Sequence, residues 1–174
     1  MAATKKRTPP QRTPPKATPP EATEPKATAA PSWNPNIVVF ACNWCSYAGA
    51  DTAGVSRIQH QPHFRMIRVM CSGRIQPGFV LRAFEKGADG VLVSGCHFGD
   101  CHYVFGNERA VEQFDKTKEI VKLLGLEEGR IRLEWISAAE GARFAQVINE
   151  FTDQIRNLGP SPIAQAAKMT AAIA

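Results

Sequence analysis

Four short apolar runs punctuate the chain, at 36–42 (NIVVFAC), 65–71 (RMIRVMC), 90–96 (GVLVSGC) and 130–137 (RIRLEWIS). Each is rich in β-branched residues and too short for a buried helix, so each reads as a strand. The stretches between them follow the helical period instead. Gln76-Pro77 opens one helix with proline at its first position, and Lys86-Gly87 closes it. A second runs from about 107 to 124, with Val111, Phe114, Val121 and Leu124 on one stripe. The last opens on Ser137 and Glu140 in capping-box register. It carries Phe144, Val147, Ile148, Phe151, Ile155 and Leu158 on one face and stops at Gly159-Pro160.

Strands alternating with helices imply right-handed crossovers and a parallel sheet covered on both faces. The expected fold is therefore α/β: an open, mainly parallel sheet of about four strands in order 2-1-3-4, doubly wound in the Rossmann/flavodoxin-like manner.

Composition divides the chain. Residues 1–32 repeat in proline-rich pentads (RTPPQ, RTPPK, ATPPE, ATEPK, ATAAP) that hold eight of the 13 prolines and no large apolar side chain after Met1. Such a segment has nothing to bury against its ordering entropy and reads as a disordered arm. Residues 33–159 form the folded domain, and 160–174 an alanine-rich tail. The arm carries six basic residues against two acidic ones, so four of the five net positive charges lie there and one in the rest of the chain. A nucleic-acid binder would concentrate its basic residues on the folded part, so that class is set aside. Neither a membrane-spanning run nor an apolar secretory segment is present, so the cytoplasm is the expected compartment and the thiols are expected to be reduced.

All five cysteines fall at strand ends: Cys42 and Cys45 follow the first strand, Cys71 ends the second, and Cys96 and Cys101 follow the third. In open α/β sheets, ligands bind outside the carboxyl ends of strands where strand order reverses, and the order above brings these three loops together there. Three chemistries suit the C-x2-C-x25-C-x24-C-x4-C spacing. A CxxC dithiol oxidoreductase would use Cys42 and Cys45 only. A zinc-stabilised adaptor would take four thiolates as two knuckles. An iron–sulfur cluster takes four cysteines and tolerates varied spacing. No dinucleotide fingerprint, Walker loop or nucleophile elbow accompanies the sheet, so a nucleotide or flavin of its own is not expected.

The segments FACNWCSYAGAD, RVMCSGR, GADGVLVSGCHFGDCHY and the GN pair at 106–107 resemble, in this order, the delta subunit of methyl-viologen-reducing hydrogenase. The resemblance runs from about Ile37 to Leu158 and leaves the proline-rich arm outside. It implies a 2Fe-2S cluster and an electron-transfer subunit rather than a stand-alone catalyst. It also implies partners: a hydrogenase or formate dehydrogenase on one side, and a flavin-containing, heterodisulfide-reductase-type subunit on the other. Cys42, Cys45, Cys71, Cys96 and Cys101 are then the cofactor- and metal-binding candidates. Cys42 with Cys45 and Cys96 with Cys101 make natural chelating pairs, and Cys71 either displaces one of them or stands beside them. His97 and His102 are expected to donate hydrogen bonds to the cluster or a partner, Trp44 to shield the cluster or fill the core, and Arg74 to offset its charge or lie on the surface. Gly49, Gly95 and Gly99 are expected to let backbone approach the cluster. His60 and His63 read as loop residues leading into the second strand.

Overall fold

The computed structural model describes residues 33–166; the proline-rich arm and the end of the alanine-rich tail lie outside the described residues. Four strands, β1 (Ile37–Cys42), β2 (Phe64–Val69), β3 (Gly90–Gly95) and β4 (Ile131–Trp135), form one sheet in order β2-β1-β3-β4. Every pairing is parallel, with Val39 beside Met66 and Leu92, and Val93 beside Leu133. The expected order and direction are both borne out.

Alternation along each strand builds two cores. Ile37, Val39, Ala41 and Leu92 point to α1 (Ser46–Val55) and α4 (Gly141–Leu158), where Phe144, Val147, Ile148, Phe151 and Ile155 meet them. Phe40, Val91 and Val93 point the other way, to α2 (Pro77–Glu85) and α3 (Gly106–Leu123), packing on Val80, Phe84, Phe114 and Val121. The α4 stripe follows the expected one. In α3 the buried positions are Ala110, Phe114, Thr117 and Val121. Val111 is only half-buried, and Leu124 lies past the helix end and exposed. Gly106 and Asn107 at the head of α3 are buried too, because the helix packs there against the short helical turn at Ser72–Arg74.

Helix α1 has no counterpart in the periodicity. Its buried residues are Ser46, Gly49 and Ala53, none of which makes an apolar stripe. They are small because α1 touches the start of α4 backbone to backbone. A Cβ on Gly49 would stand 2.7 Å from the Ser137 carbonyl oxygen, and one on Gly141 would stand 2.6 Å from Ala53 N. Helix α4 also begins at Gly141, four residues beyond the expected Ser137. The Glu140 carboxylate still accepts from Ser137 N (2.7 Å), the returning half of a capping box, but here that bond ties the turn before the helix.

Candidate functional site

Every cysteine stands at the carboxyl end of the sheet, and the order β2-β1-β3 makes their loops neighbours. Cys42 is the last residue of β1, Cys45 the N-cap of α1, Cys71 the N-cap of the Ser72–Arg74 turn, and Cys96 follows β3 directly. Cys71 was expected to end β2; the strand stops at Val69, and the two extra residues carry Cys71 over the sheet's end.

The sulfurs converge. Cys42 Sγ and Cys96 Sγ are 3.5 Å apart, both buried, with Cys45 also within hydrogen-bonding reach of Cys96. Cys71 and Cys101 meet on the other side, at Gly106. A Cβ there would fall far inside contact distance of Cys71 Sγ and 3.0 Å from Cys101 Sγ, so any larger residue would displace a sulfur. The closest contacts thus join cysteines of different loops, not the CxxC pair. Among the described residues no three or more Cys, His, Asp or Glu side chains are arranged to hold a single metal ion. The thiols gather as a trio and a pair.

Of the trio, electrostatics favour the thiolate at Cys42 alone. Cys42 is held down to about 6, first by the hydrogen bond with Cys96, against the upward push of burial. Backbone N–H groups of Trp44, Cys45 and Ser72 act in the same downward direction. They belong to the turns that open α1 and the Ser72–Arg74 helical turn, where unpaired N–H groups collect. Cys96 is pushed far up, first by that same bond with Cys42 and then by burial. Cys45 and Cys71 are raised, burial being the first cause in each. Crowded thiols cannot all ionise together, whereas a bound cationic centre takes several thiolates and releases their protons.

The supporting residues are mostly ones the sequence did not single out. Buried Ser46 donates to Gly95 O (3.0 Å). Buried Asn107 donates through Nδ2 to His97 O (2.9 Å) and Cys96 O (3.4 Å) and accepts from Glu108 N, clamping the Cys96 loop to the head of α3. The GN pair is therefore a two-residue device, glycine admitting the sulfurs and asparagine fixing their loop. Its legible signal was a glycine followed by a polar residue at a helix start.

His97 does not face the thiols through Nε2, which sits 2.7 Å from Glu140 Oε2. Glu140 is held down to about 2, first by Ser137 N–H and then by His97. His102 stacks on Trp44 with ring centroids 3.7 Å apart, and Tyr103 closes on both edge-on. Trp44 is part-exposed, so of its two expected roles the structure supports a lid beside the cysteine loops rather than core filling. Arg74 is exposed and lines a cleft with Cys71. His60 lies in the loop before β2, as expected, its ring on Phe64 and Phe144. The three expected close-approach glycines serve elsewhere. Gly95 makes room for Ser72 and the Trp135 ring, Gly49 for the α4 turn, and Gly99 takes a positive φ of 87° in open space. Gly106 is the one against the sulfurs. The loop reaching it is strained, since Val104 adopts φ 66° in a three-residue turn closed by Phe105 N and Tyr103 O (2.8 Å).

A parallel doubly wound sheet with five cysteines gathered at its switch point defines the class: a small α/β protein with a cysteine-rich sheet end. The family can be stated as well. Residues 37–159 match the model of the methyl-viologen-reducing hydrogenase delta subunit, and the chain belongs to that family. It is 52% identical over 131 residues to the vhc iron–sulfur subunit of the F420-non-reducing hydrogenase of Methanococcus voltae, covering 75% of this chain and 91% of that one. The match to the iron–sulfur subunit of the F420-non-reducing hydrogenase of Archaeoglobus profundus is also 52% identical, over 74% and 93% of the two chains. A third relative differs in kind. It is a subunit of the ferredoxin/F(420)H(2)-dependent CoB-CoM heterodisulfide reductase of Methanosarcina acetivorans, 53% identical over 126 residues, which are 72% of this chain but 16% of that one.

Proposed function

We propose that this chain is an electron-transfer subunit holding one 2Fe-2S cluster on four of the thiolates of Cys42, Cys45, Cys71, Cys96 and Cys101. It would stand between a hydrogenase or formate dehydrogenase and a flavin-containing subunit of the heterodisulfide-reductase type. The observation that carries the reading is the convergence of all five sulfurs from three loops on one sheet end, with Gly106 leaving room for them. The family and the relatives named iron–sulfur subunits supply the type of group. A CxxC dithiol mechanism fits less well, because the 3.5 Å thiol contact of Cys42 is with Cys96. When bound, the cluster carries one electron at a time. The chain's own groups do the rest: thiolates hold it, N–H groups of Trp44, Cys45 and Ser72 stabilise sulfur charge, and stacked Trp44 and His102 limit water on one side.

The partner assignment is supported by the third relative, in which a domain similar to this one forms part of a longer heterodisulfide reductase polypeptide. Among the described residues no helix is long and apolar enough to cross a membrane. A thiolate-bound cluster belongs with a reducing compartment, and we place the chain in the cytoplasm.

Metal analysis of anaerobically purified protein tests the reading. Iron and sulfide in equal amount, two of each per chain, and a one-electron EPR signal on reduction are expected. Four irons, or zinc alone, would overturn it. In a serine scan, Cys42→Ser and Cys96→Ser should lose the visible absorbance, while one of Cys45, Cys71 and Cys101 should tolerate the change. Equal loading of all five variants would contradict a thiolate-held cluster. Deleting residues 2–31, whose pentads contain nothing to bury, should leave the spectrum unchanged. A colourless truncation would show that the arm takes part in the site.

A further inference from the structure

A parallel sheet is ordinarily covered on both faces, and here one strand is not. On the α1/α4 side, β2 is covered: Phe64 and Met66 join the core, and Arg68 lies over the Tyr47 ring. On the opposite side α2 lies over β1 and β3, its Val80, Ala83 and Phe84 packing with Phe40, Val91 and Val93. No described element reaches Ile67, which stays 46% exposed, and Phe79 at the near edge of α2 is 41% exposed. Between them runs a groove of about 460 Å³ floored by Val38, Phe40 and Val69. At Val69 and Phe79 it joins a second cleft, of about 960 Å³, that ends on Cys71 and Gly106.

The rim is mainly basic, with Arg82 also paired with Glu85 on α2. Arg65, Arg82 and Lys86 line the first groove with no acidic residue; Arg74 and Arg109 line the second against Glu112 alone. Arg74 and Arg109 have no ion-pair partner among the described residues. An apolar trough with a basic rim selects an apolar ridge flanked by carboxylates, through complementary charge. It selects against a second copy of this chain, whose matching face is equally basic. It selects also against the chain's own arm, with six basic residues to two acidic.

We propose that this face, from Ile67 along Phe79 to the Cys71 cleft, is the docking surface for one electron-transfer partner subunit, which presents an apolar ridge between acidic side chains. The inference rests on the relay reading above and adds where the partner sits. Docking there would lay the partner against the Cys71–Cys101 side of the thiol site and leave the Trp44–His102 side to the other partner.

The test uses tagged full-length chain recovered anaerobically from its own cells, with co-purified subunits identified and quantified by mass spectrometry. Ile67→Glu is compared with Val55→Glu, an exposed apolar residue at the end of α1, and with the pair Arg82→Glu, Lys86→Glu on α2. Visible absorbance should match wild type in all three. Ile67→Glu and the double variant should recover on the order of tenfold less of one hydrogenase- or reductase-type subunit, since a charge is then set against an apolar or like-charged contact. Val55→Glu should recover the wild-type amount. In the complex, hydrogen exchange should slow at 64–70 and 77–86, and the protection should fade at about 0.5 M salt, where screening is short-ranged. Should Ile67→Glu fail to load the cluster, the double variant and the exchange map decide. Wild-type recovery in the charge variants, or protection confined to other segments, overturns the proposal. So does a free dimer already protected at 64–70, or an exchange rate there that changes when residues 2–31 are deleted. A loaded chain that brings down no such subunit overturns the relay reading itself, and the docking surface with it.

Discussion

Replacing Arg130 by alanine should lower the stability of the fold by about 3–5 kcal/mol, the range for breaking a buried charged network, while leaving the thiol site intact. The guanidinium is 1% exposed. It donates to Asp89 O (3.1 Å), Gly159 O (2.9 Å), Leu158 O (3.3 Å) and Pro160 O (3.5 Å), and pairs with Glu127 through Nε. It therefore closes the carboxyl end of α4 onto the residue before β3, at the sheet edge opposite the cysteines. Asp89 extends the same tie, accepting from Asn36 N and Ser161 N at 2.9 Å each. Removing the guanidinium leaves several carbonyls without a donor, each costing about 1–3 kcal/mol where water cannot reach it. A domain of this size has about 5–15 kcal/mol in all. At roughly 3 °C per kcal/mol, the melting temperature should fall by on the order of 10 °C. Arg130→Lys should restore only part, because a single ammonium cannot span carbonyls on both sides of the turn. Thermal unfolding of the loaded protein, with cluster absorbance followed at room temperature, checks both halves. A loss under about 1 kcal/mol would show that water replaces the guanidinium.

The sequence made the sheet legible because its strands are uniform. The runs at 36–42 and 90–96 are almost continuously apolar, broken only by Asn36 and Ser94, as strands buried on both faces tend to be, and their cysteine endings marked where the loops would meet. Strand β2 was legible for the opposite reason: it alternates, and the structure shows it at an edge. What was not legible lies where two backbones touch. Ser46, Gly49 and Ala53 carry no periodic signal, so α1 could not be read from hydrophobicity. Its helical state follows from close packing on α4, which sequence period does not encode. Arg130 is hidden in another way. An arginine opening a strand reads as a surface residue, and only the carbonyls arriving from α4, nearly thirty positions later, make it a core one. At the site, strand position placed the five cysteines at one end of the sheet, where the structure gathers them. Their pairing was not legible, because chelation was read along the chain, whereas Cys42 meets Cys96 and Cys71 meets Cys101 across loops. Glycines were likewise assigned by nearness in sequence, and the one that matters, Gly106, opens the next helix.

That glycine gives the other large effect expected. Gly106→Ala should leave the fold in place and reduce cluster affinity by on the order of 10–100-fold, the range for disturbing residues that orient metal ligands. The added methyl would overlap Cys71 Sγ and fall 3.0 Å from Cys101 Sγ, so at least one sulfur must move. The backbone of neither cysteine can move freely. Cys71 is fixed by the turn at Ser72–Arg74, where Arg74 N donates to Cys71 O (3.1 Å). Cys101 is fixed by the tight loop before α3, where Val104 N donates to Cys101 O (2.9 Å). The turn and α3 already touch backbone to backbone, since a Cβ on Gly73 would stand 2.5 Å from Gly106 O. Gly73→Ala should therefore act in the same direction through backbone displacement, and the two changes should not add, because both push apart one contact. Apo-protein melting temperatures within a few degrees of wild type, with iron and sulfide content lowered under limiting iron, are the expected results. A Gly106→Ala protein that takes up iron and sulfide as wild type does, with the same visible spectrum, would show that Cys71 and Cys101 swing clear of Gly106 when loaded. The wedge of small backbone between them would then be a feature of packing rather than of the site.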